Sequence, residues 1–399
     1  MLSAQERWGG MAGYSTVTDG TAKEGIGDGA LGVPVDDPCQ ITLTFNGEAA
    51  EYFRLWVVQT LLCIVTLGLY SPWAKVRKAR WFAQHTLLLG HRFDYHGRPG
   101  PILVGRLVAL VLVVLWTNAF DFSFGLGVAT LVMVALIGPY LFGSAQRFRL
   151  ANTSWRGMRF DFQAQRRDLY RIGLPAIVLW GSGGLLAGLG ASNRVLVGSA
   201  LLLALLAPFF HARLKRLQHA QATFAGRRFR CSVKVESFYG LYLKALGVLA
   251  ASGLIGMGLF TIGVGIVREA ERSPQFSFGS VLSGLFVALF AWLLTWPYWA
   301  SRVQRMVWGR TRWGPVRFRG TLSAKRLWAV VLGGTLLTLV TAGLAWPFLA
   351  VWVARARVES LQVFASKPLS QLDLVSEVAP AVGATGDAAA DLFGLDLGW

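Results

Sequence analysis

Residues 52–80 read YFRLWVVQTLLCIVTLGLYSPWAKVRKAR. The stretch Tyr52–Ser71 is almost free of charge, and a proline, a tryptophan and the cations Lys75, Arg77, Lys78 and Arg80 follow it at once. A run of about 20 apolar residues is long enough to cross hydrocarbon, and only a helix meets its own backbone hydrogen-bonding needs there. Seven more runs meet or approach that test: Ile102–Phe120, Phe122–Phe142, Leu174–Gly190, Val195–Phe210, Leu241–Val267, Phe278–Trp299 and Leu327–Val353. Of the 399 residues 54% are hydrophobic and 15% charged, against about 45–50% and about 25% in soluble domains. A set of buried core helices would need hydrophilic helices around it, and the chain has none. The expected fold class is therefore all-α membrane: a polytopic helical bundle of about eight spans.

The net charge of +18 would point to nucleic acid in a soluble protein. Its placement points elsewhere. Residues 72–101, 144–171, 211–236 and 302–326 hold 28 of the 39 Lys and Arg, against four acids, Asp94, Asp161, Asp168 and Glu236. The intervening connections Asn118–Asp121, Ala191–Arg194 and Arg268–Arg272 are short and nearly neutral. Such asymmetry puts the basic loops in the cytoplasm and sets nucleic acid aside. The first 40 residues are Gly-rich and polar without a signal-peptide pattern, so Tyr52–Ser71 is expected to direct insertion. Cys39, Cys63 and Cys231 share no metal or redox spacing, which predicts no disulfide framework and no zinc site.

The proline motif recurs at fixed spacing. Pro72-Trp73 is followed by Arg77, Arg80, Thr86, Gly90 and Phe93. Pro139-Tyr140 is followed by Ser144, Arg147, Thr153, Gly157 and Phe160, and Pro208-Phe209 by Arg213, Arg216, Ala222, Gly226 and Phe229. Pro297-Tyr298 leads to Arg302, Arg305, Thr311, Pro315 and Phe318, and Pro347-Phe348 to Trp352 and Arg355. All five copies keep the proline, the aromatic and the second arginine. The proline bends a helix near its end, and the aromatic suits the headgroup level. Arginines three apart share one face of the continuing helix. Past the threonine the period drops to two, as in Phe229, Cys231 and Val233 alternating with Arg228, Arg230 and Lys234; Ile41, Leu43 and Phe45 show it too. Half-buried strands alternate in this way. Short, repeated cytoplasmic helix–strand elements are expected, pairing into a small sheet beneath the membrane.

The organisation expected is a flexible segment 1–40, a multi-pass domain 41–368 and a disordered acidic tail 369–399. Tyr52–Ser71 and Leu327–Val353 either cross once or form re-entrant hairpins.

The run Phe45-x-Gly47-x-x-x-Glu51-Tyr52-Phe53, then Thr66-Leu67-Gly68-Leu69-Tyr70-x-Pro72-Trp73-Ala74-x-x-Arg77-x-x-Arg80, continued through Phe93-Asp94-Tyr95, resembles the YjgN family. That family comprises bacterial multi-pass inner-membrane proteins built on a domain of unknown function. The resemblance covers roughly residues 40–365 and implies a Gram-negative inner membrane, with no established activity.

Ionisable groups inside spans, the usual mark of a carrier, are few: Arg106 and Lys244 lie near span ends, and no acid lies at mid-span. His85, His91 and His96 have no helical ligand spacing and read as loop histidines. Gly184/Gly188 and Ser252/Gly256 suit close helix packing. No catalytic residue, metal or cofactor is predicted. Arg77, Arg80, Arg147, Arg213, Arg216, Arg302, Arg305 and Arg355 remain, either as contacts for lipid phosphate or as bonds at helix–strand corners. The leading expectation is a non-enzymatic protein that binds anionic membrane lipid or moves a lipidic or small anionic substrate. The alternatives are a scaffold of an envelope complex, as a homo-oligomer or with an envelope partner, and a membrane-embedded enzyme.

Overall fold

The structure is a computed structural model and describes residues 39–270 and 278–365; the expected flexible start and acidic tail lie outside the described residues. Strand β1 (Cys39–Thr42) and β2 (Thr44–Phe45) lead into helices α1 (Ala49–Val65) and α2 (Ser71–Gln84) and strands β3 (Thr86–Leu88) and β4 (His91–Tyr95). The order helix, helix, strand, strand then recurs. It gives α3 (Pro99–Phe122), α4 (Phe124–Ala151), β5 (Thr153–Trp155) and β6 (Met158–Phe162). Next come α5 (Arg166–Gly188), α6 (Asn193–Ala220), β7 (Ala222–Phe224) and β8 (Arg227–Cys231). After them follow α7 (Val235–Ala270), α8 (Phe278–Trp308), β9 (Thr311–Trp313) and β10 (Val316–Gly320). Helices α9 (Ala324–Val340) and α10 (Trp346–Glu359) and strand β11 (Leu361–Ala365) end the described chain.

Six of these helices, α3 to α8, are long and apolar enough to cross a membrane among the described residues. Their outer faces carry exposed side chains such as Leu107 and Val111 on α3, Leu201 and Leu205 on α6, and Leu243 and Leu254 on α7. Only hydrocarbon accepts that much contiguous apolar surface.

The other two apolar runs do not continue as single helices, so the count of about eight spans is not met. Each breaks at the same device. Thr66 ends α1: its hydroxyl donates to Leu62 O at 2.7 Å and accepts from Tyr70 N at 3.0 Å. Leu67 and Gly68 take φ of 50° and 86°, and Gly68 N donates back to Cys63 O at 2.7 Å. Thr341, Ala342 and Gly343 reproduce this after α9, with Gly343 N on Thr338 O at 2.7 Å and Ala345 N on Thr341 Oγ1 at 3.0 Å. The 6→1 bond with a left-handed residue before it is a Schellman helix stop. The chain then turns back, so that Tyr52 of α1 lies 4.8 Å from Trp81 of α2, ring to ring. Both hairpins begin and end on the sheet, and α10 packs against α1.

Pro139, Pro208 and Pro297 sit inside α4, α6 and α8, whereas Pro72 and Pro347 open α2 and α10. All five are buried. A proline inside a helix frees carbonyls in the turn before it. Neighbouring helices supply donors there: Tyr170 OH of α5 to Leu136 O at 2.5 Å, and Trp328 Nε1 of α9 to Leu294 O at 2.6 Å. On α5, a Cβ at Gly184 would meet Phe120, and one at Gly188 would meet Phe124, so that face packs closely.

The largest departure from an all-α bundle is the sheet. The eleven described strands form one sheet in the order β1-β11-β10-β9-β8-β7-β6-β5-β4-β3-β2, and every pair is antiparallel. Its two ends, β1 and β2, are separated by Leu43 alone, so one N-terminal segment pairs with β11 by its first half and with β3 by its second. The sheet runs round to its own beginning. Leu89-Gly90, Arg156-Gly157 and Ala225-Gly226 turn three of the hairpins with φ positive at both positions. That is the two-residue turn whose twist matches the strands, and it explains the glycine of the motif. In the fourth hairpin Pro315 cannot take positive φ, and the glycine moves forward to Gly314, at φ 54°.

Alternation sorts the strand side chains. Ile41, Trp155, Phe224, Trp313, Val316 and Val363 form the buried core, with Phe93, Phe160, Phe229 and Phe318 packed against it. Arg92, Arg159, Arg228, Arg230, Arg312, Arg317 and Arg319 are exposed outside. Burying each aromatic ring contributes about 1.5–3 kcal/mol, which lets such short strands hold together.

Candidate functional site

The motif arginines gather where the helices run into the strands, and the two positions behave differently. The second arginine points to the strand end. Arg80 Nε donates to Tyr95 O at 3.1 Å, Arg147 Nε to Phe162 O at 3.3 Å, and an Arg355 guanidinium nitrogen to Gly47 O at 2.8 Å. These carbonyls lie where a strand leaves the sheet for the next helix, beyond the ladder's last donor. Arg305 holds the related position beside Gly320, at the end of β10, and its Nε is buried without a hydrogen-bond partner. Arg216 is exposed on α6.

The first arginine faces outward. Arg213 lies over the Phe209 ring at 5.2 Å and Arg302 over the Tyr298 ring at 5.5 Å, each one helical turn after its aromatic. Arg77 lies over Tyr70 at 5.8 Å, and Tyr70 in turn stacks on Trp73 at 6.0 Å. All three arginines are exposed and make no ion pair among the described residues. The second copy has Ser144 in this place. In the fifth, Trp352 packs against Phe348 at 6.4 Å, an aromatic where the first, third and fourth copies have the cation. Tyr140 is 49% exposed, the most open of the five ring positions after the prolines, ahead of Trp73 at 38%.

The loop histidines part company. His85 reaches Trp81 O at 2.7 Å and Glu51 at 3.3 Å; His96 reaches Ser154 Oγ at 2.9 Å; His91 is exposed on β4. Near the span ends, Arg106 donates to Ser71 Oγ, which ties α3 to α2.

Two cavities share no lining residue. One, of about 460 Å³, lies among α4, α5, α6 and α7, with His211 Nδ1 and Tyr242 OH 3.0 Å apart on its wall. The other, of about 520 Å³, lies inside the sheet beneath the ends of α2, α4 and α8. The sequence motif led to the corners but not to Gln146, Lys215, Gln218 and Gln304, polar residues buried on α4, α6 and α8. Gln146, Lys215 and Gln304 fall at one position, seven residues after Pro139, Pro208 and Pro297, and that register is the signal that could have found them.

The profile of a family described as "Bacterial protein of unknown function (DUF898)" matches residues 40–392. The chain belongs to this family. The protein named "Inner membrane protein YjgN" of Salmonella typhimurium is 23% identical over 368 residues, covering 85% of this chain and 92% of that one. Its namesake in Escherichia coli O157:H7 is 24% identical over 344 residues, covering 78% and 85%. No solved structure matches. The DUF898 match takes in every described strand from β2 to β11 and all ten described helices.

Proposed function

We propose that this DUF898 protein resides in the inner membrane, with its sheet in the cytoplasm, and binds anionic lipid through a collar of exposed arginines at the inner headgroup level. The inner membrane follows the names of its relatives, and the orientation follows the positive-inside bias of the basic loops. Its helix–helix–strand–strand units are copies of one repeat, the last completed by β1–β2.

One observation carries the lipid reading. Arg213 and Arg302 stand exposed over aromatic rings toward the ends of the apolar helices α6 and α8, and Arg77, on the short helix α2 that follows the first apolar run, over Tyr70, all without an acidic partner among the described residues. A cation there gains about 1 kcal/mol from an anionic leaflet, and an aromatic shelf restricts where it points. The test is lipid retention in native mass spectrometry. Replacing Arg77, Arg213 and Arg302 together by Gln should lower anionic-lipid occupancy at least tenfold at unchanged expression and Tm; equal retention would sink the reading.

A second reading, a scaffold, rests on the outer face of the sheet. There Arg312 pairs with Arg230 on one side and Arg317 on the other, a like-charged row suited to an acidic partner. A stably co-purifying acidic protein, lost with Arg312→Glu, would favour it.

A further inference from the structure

The cavity among α4, α5, α6 and α7 lies between four of the helices long and apolar enough to cross a membrane. Its volume of about 460 Å³ lies within the roughly 300–1,000 Å³ usual for a drug-sized ligand. No Asp, Glu, Lys or Arg lines it among the described residues. Two polar side chains meet on its wall, His211 of α6 and Tyr242 of α7. His211 is 6% exposed, its Nδ1 lies 3.0 Å from the Tyr242 hydroxyl, and its Nε2 has no hydrogen-bond partner. Phe238 at 4.8 Å and Trp299 at 5.4 Å hold the imidazole ring in place. In either tautomer the pair has one donor left over. If Tyr242 donates to Nδ1, the ring hydrogen sits on Nε2; if Nδ1 donates to Tyr242, the hydroxyl hydrogen is unused. A buried donor left unmet destabilises the fold, so the pair calls for an acceptor. Water is a poor one here, because it needs several polar partners and the rest of the lining is aliphatic or aromatic. Four aromatic rings, Phe142, Trp180, Phe210 and Tyr242, reach this lining from four different helices. Such a surface favours a flat π-system over a saturated chain.

We propose that this cavity binds an isoprenoid quinone. A ring carbonyl accepts from the His211–Tyr242 pair, the ring lies among the aromatic side chains, and the first isoprene units lie against the aliphatic wall. A neutral head suits a lining without charged side chains. None of Arg77, Arg213 and Arg302 lines the cavity, so the site is independent of the lipid collar.

The test uses the full chain in phosphatidylcholine nanodiscs and a tritiated azidoquinone photoprobe. Labelling should saturate at one probe per chain, with the label on peptides of the four lining helices. Decylubiquinone should compete at least tenfold better than decylbenzene, which has a ring and chain without the carbonyl. It should also compete at least tenfold better than dioctanoylglycerol, which has ester carbonyls without the ring. His211→Leu should cut labelling at least tenfold, whereas His211→Gln, which keeps an amide donor, should retain most of it. Ala207→Phe fills the cavity from its apolar side and should abolish labelling with the His211–Tyr242 pair intact; the Tm of each variant checks its fold. The triple collar variant should label as the parent chain does. Labelling that does not saturate, equal competition by decylbenzene or by dioctanoylglycerol, or full labelling in both His211→Leu and Ala207→Phe would overturn the proposal.

Discussion

An arginine eight residues after the motif proline and one five residues after it differ by a single helical turn, and that turn decides their chemistry. The later one meets a strand-end carbonyl, as Arg355 does at Gly47 and Arg147 at Phe162. The earlier one, as Arg213 over Phe209, meets a ring and solvent. A hydrogen bond from a charged donor contributes about 1.5–3 kcal/mol, an exposed cation–π contact about 0.5–1. Arg355→Met should therefore lower Tm clearly, by about 2 kcal/mol of stability, whereas Arg213→Met should cost under about 1 kcal/mol. Thermal unfolding of the two variants in one detergent checks this; equal losses would refute the division of labour. Both arginines were visible in the sequence. Which one turned inward was not, because that depends on where the following strand ends. Backbone strain works at the same scale. Ala342 sits exposed at φ 48° in the stop after α9, where a left-handed non-glycine residue costs about 1–2 kcal/mol. Ala342→Gly should raise Tm by roughly 1 kcal/mol of stability. At the matching stop Leu67 is 95% exposed with φ 50°; there glycine would also give up an apolar side chain at the hairpin tip.

At the scale of elements, strands showed themselves through alternation: Phe229, Cys231 and Val233 set against Arg228, Arg230 and Lys234 lie on β8 and just beyond it. The helices were legible as apolar runs, but hydropathy alone does not separate a crossing from a hairpin. The break in Tyr52–Ser71 comes from Thr66 and Gly68, two residues that barely change its mean hydropathy. They act through a hydroxyl and a positive φ. Charge on the strands has its own consequence. Arg312 of β9 lies opposite both Arg230 and Arg317, and like charges directly across a ladder destabilise it by a few tenths to about 1 kcal/mol. Arg312→Thr should raise Tm, and the gain should shrink between 0.05 and about 1 M salt as the Debye length falls to roughly 3 Å. A salt-independent gain would mean that Thr acts through strand propensity rather than through relief of repulsion.

At the scale of the whole molecule, closure of the sheet was the part least legible. The sequence shows a strand before the first helix and the motif fading after Pro347, but nothing local says that these ends meet. Ile41 pairs with Val363 across almost the entire chain, and periodicity carries no information at that separation. The short β1–β2 segment therefore joins what would otherwise be two sheet edges, and unpaired edges invite association with other chains. Cross-linking tests this. In a chain with Cys39, Cys63 and Cys231 replaced by Ala, Thr42→Cys with Gln362→Cys should form a disulfide, since the two residues are register partners. Thr44→Cys with Leu87→Cys should do the same on the other side. The first bond closes nearly the full chain into a loop, and a loop of 100 residues is already worth about 4.7 kcal/mol in the chain-entropy account. It should raise Tm more than the second, whose smaller loop is worth about 2 kcal/mol less in the same account, and should change migration on a non-reducing gel. If only the Thr44–Leu87 pair forms, the sheet is open at β11, and the N-terminal strand extends one edge instead of joining two.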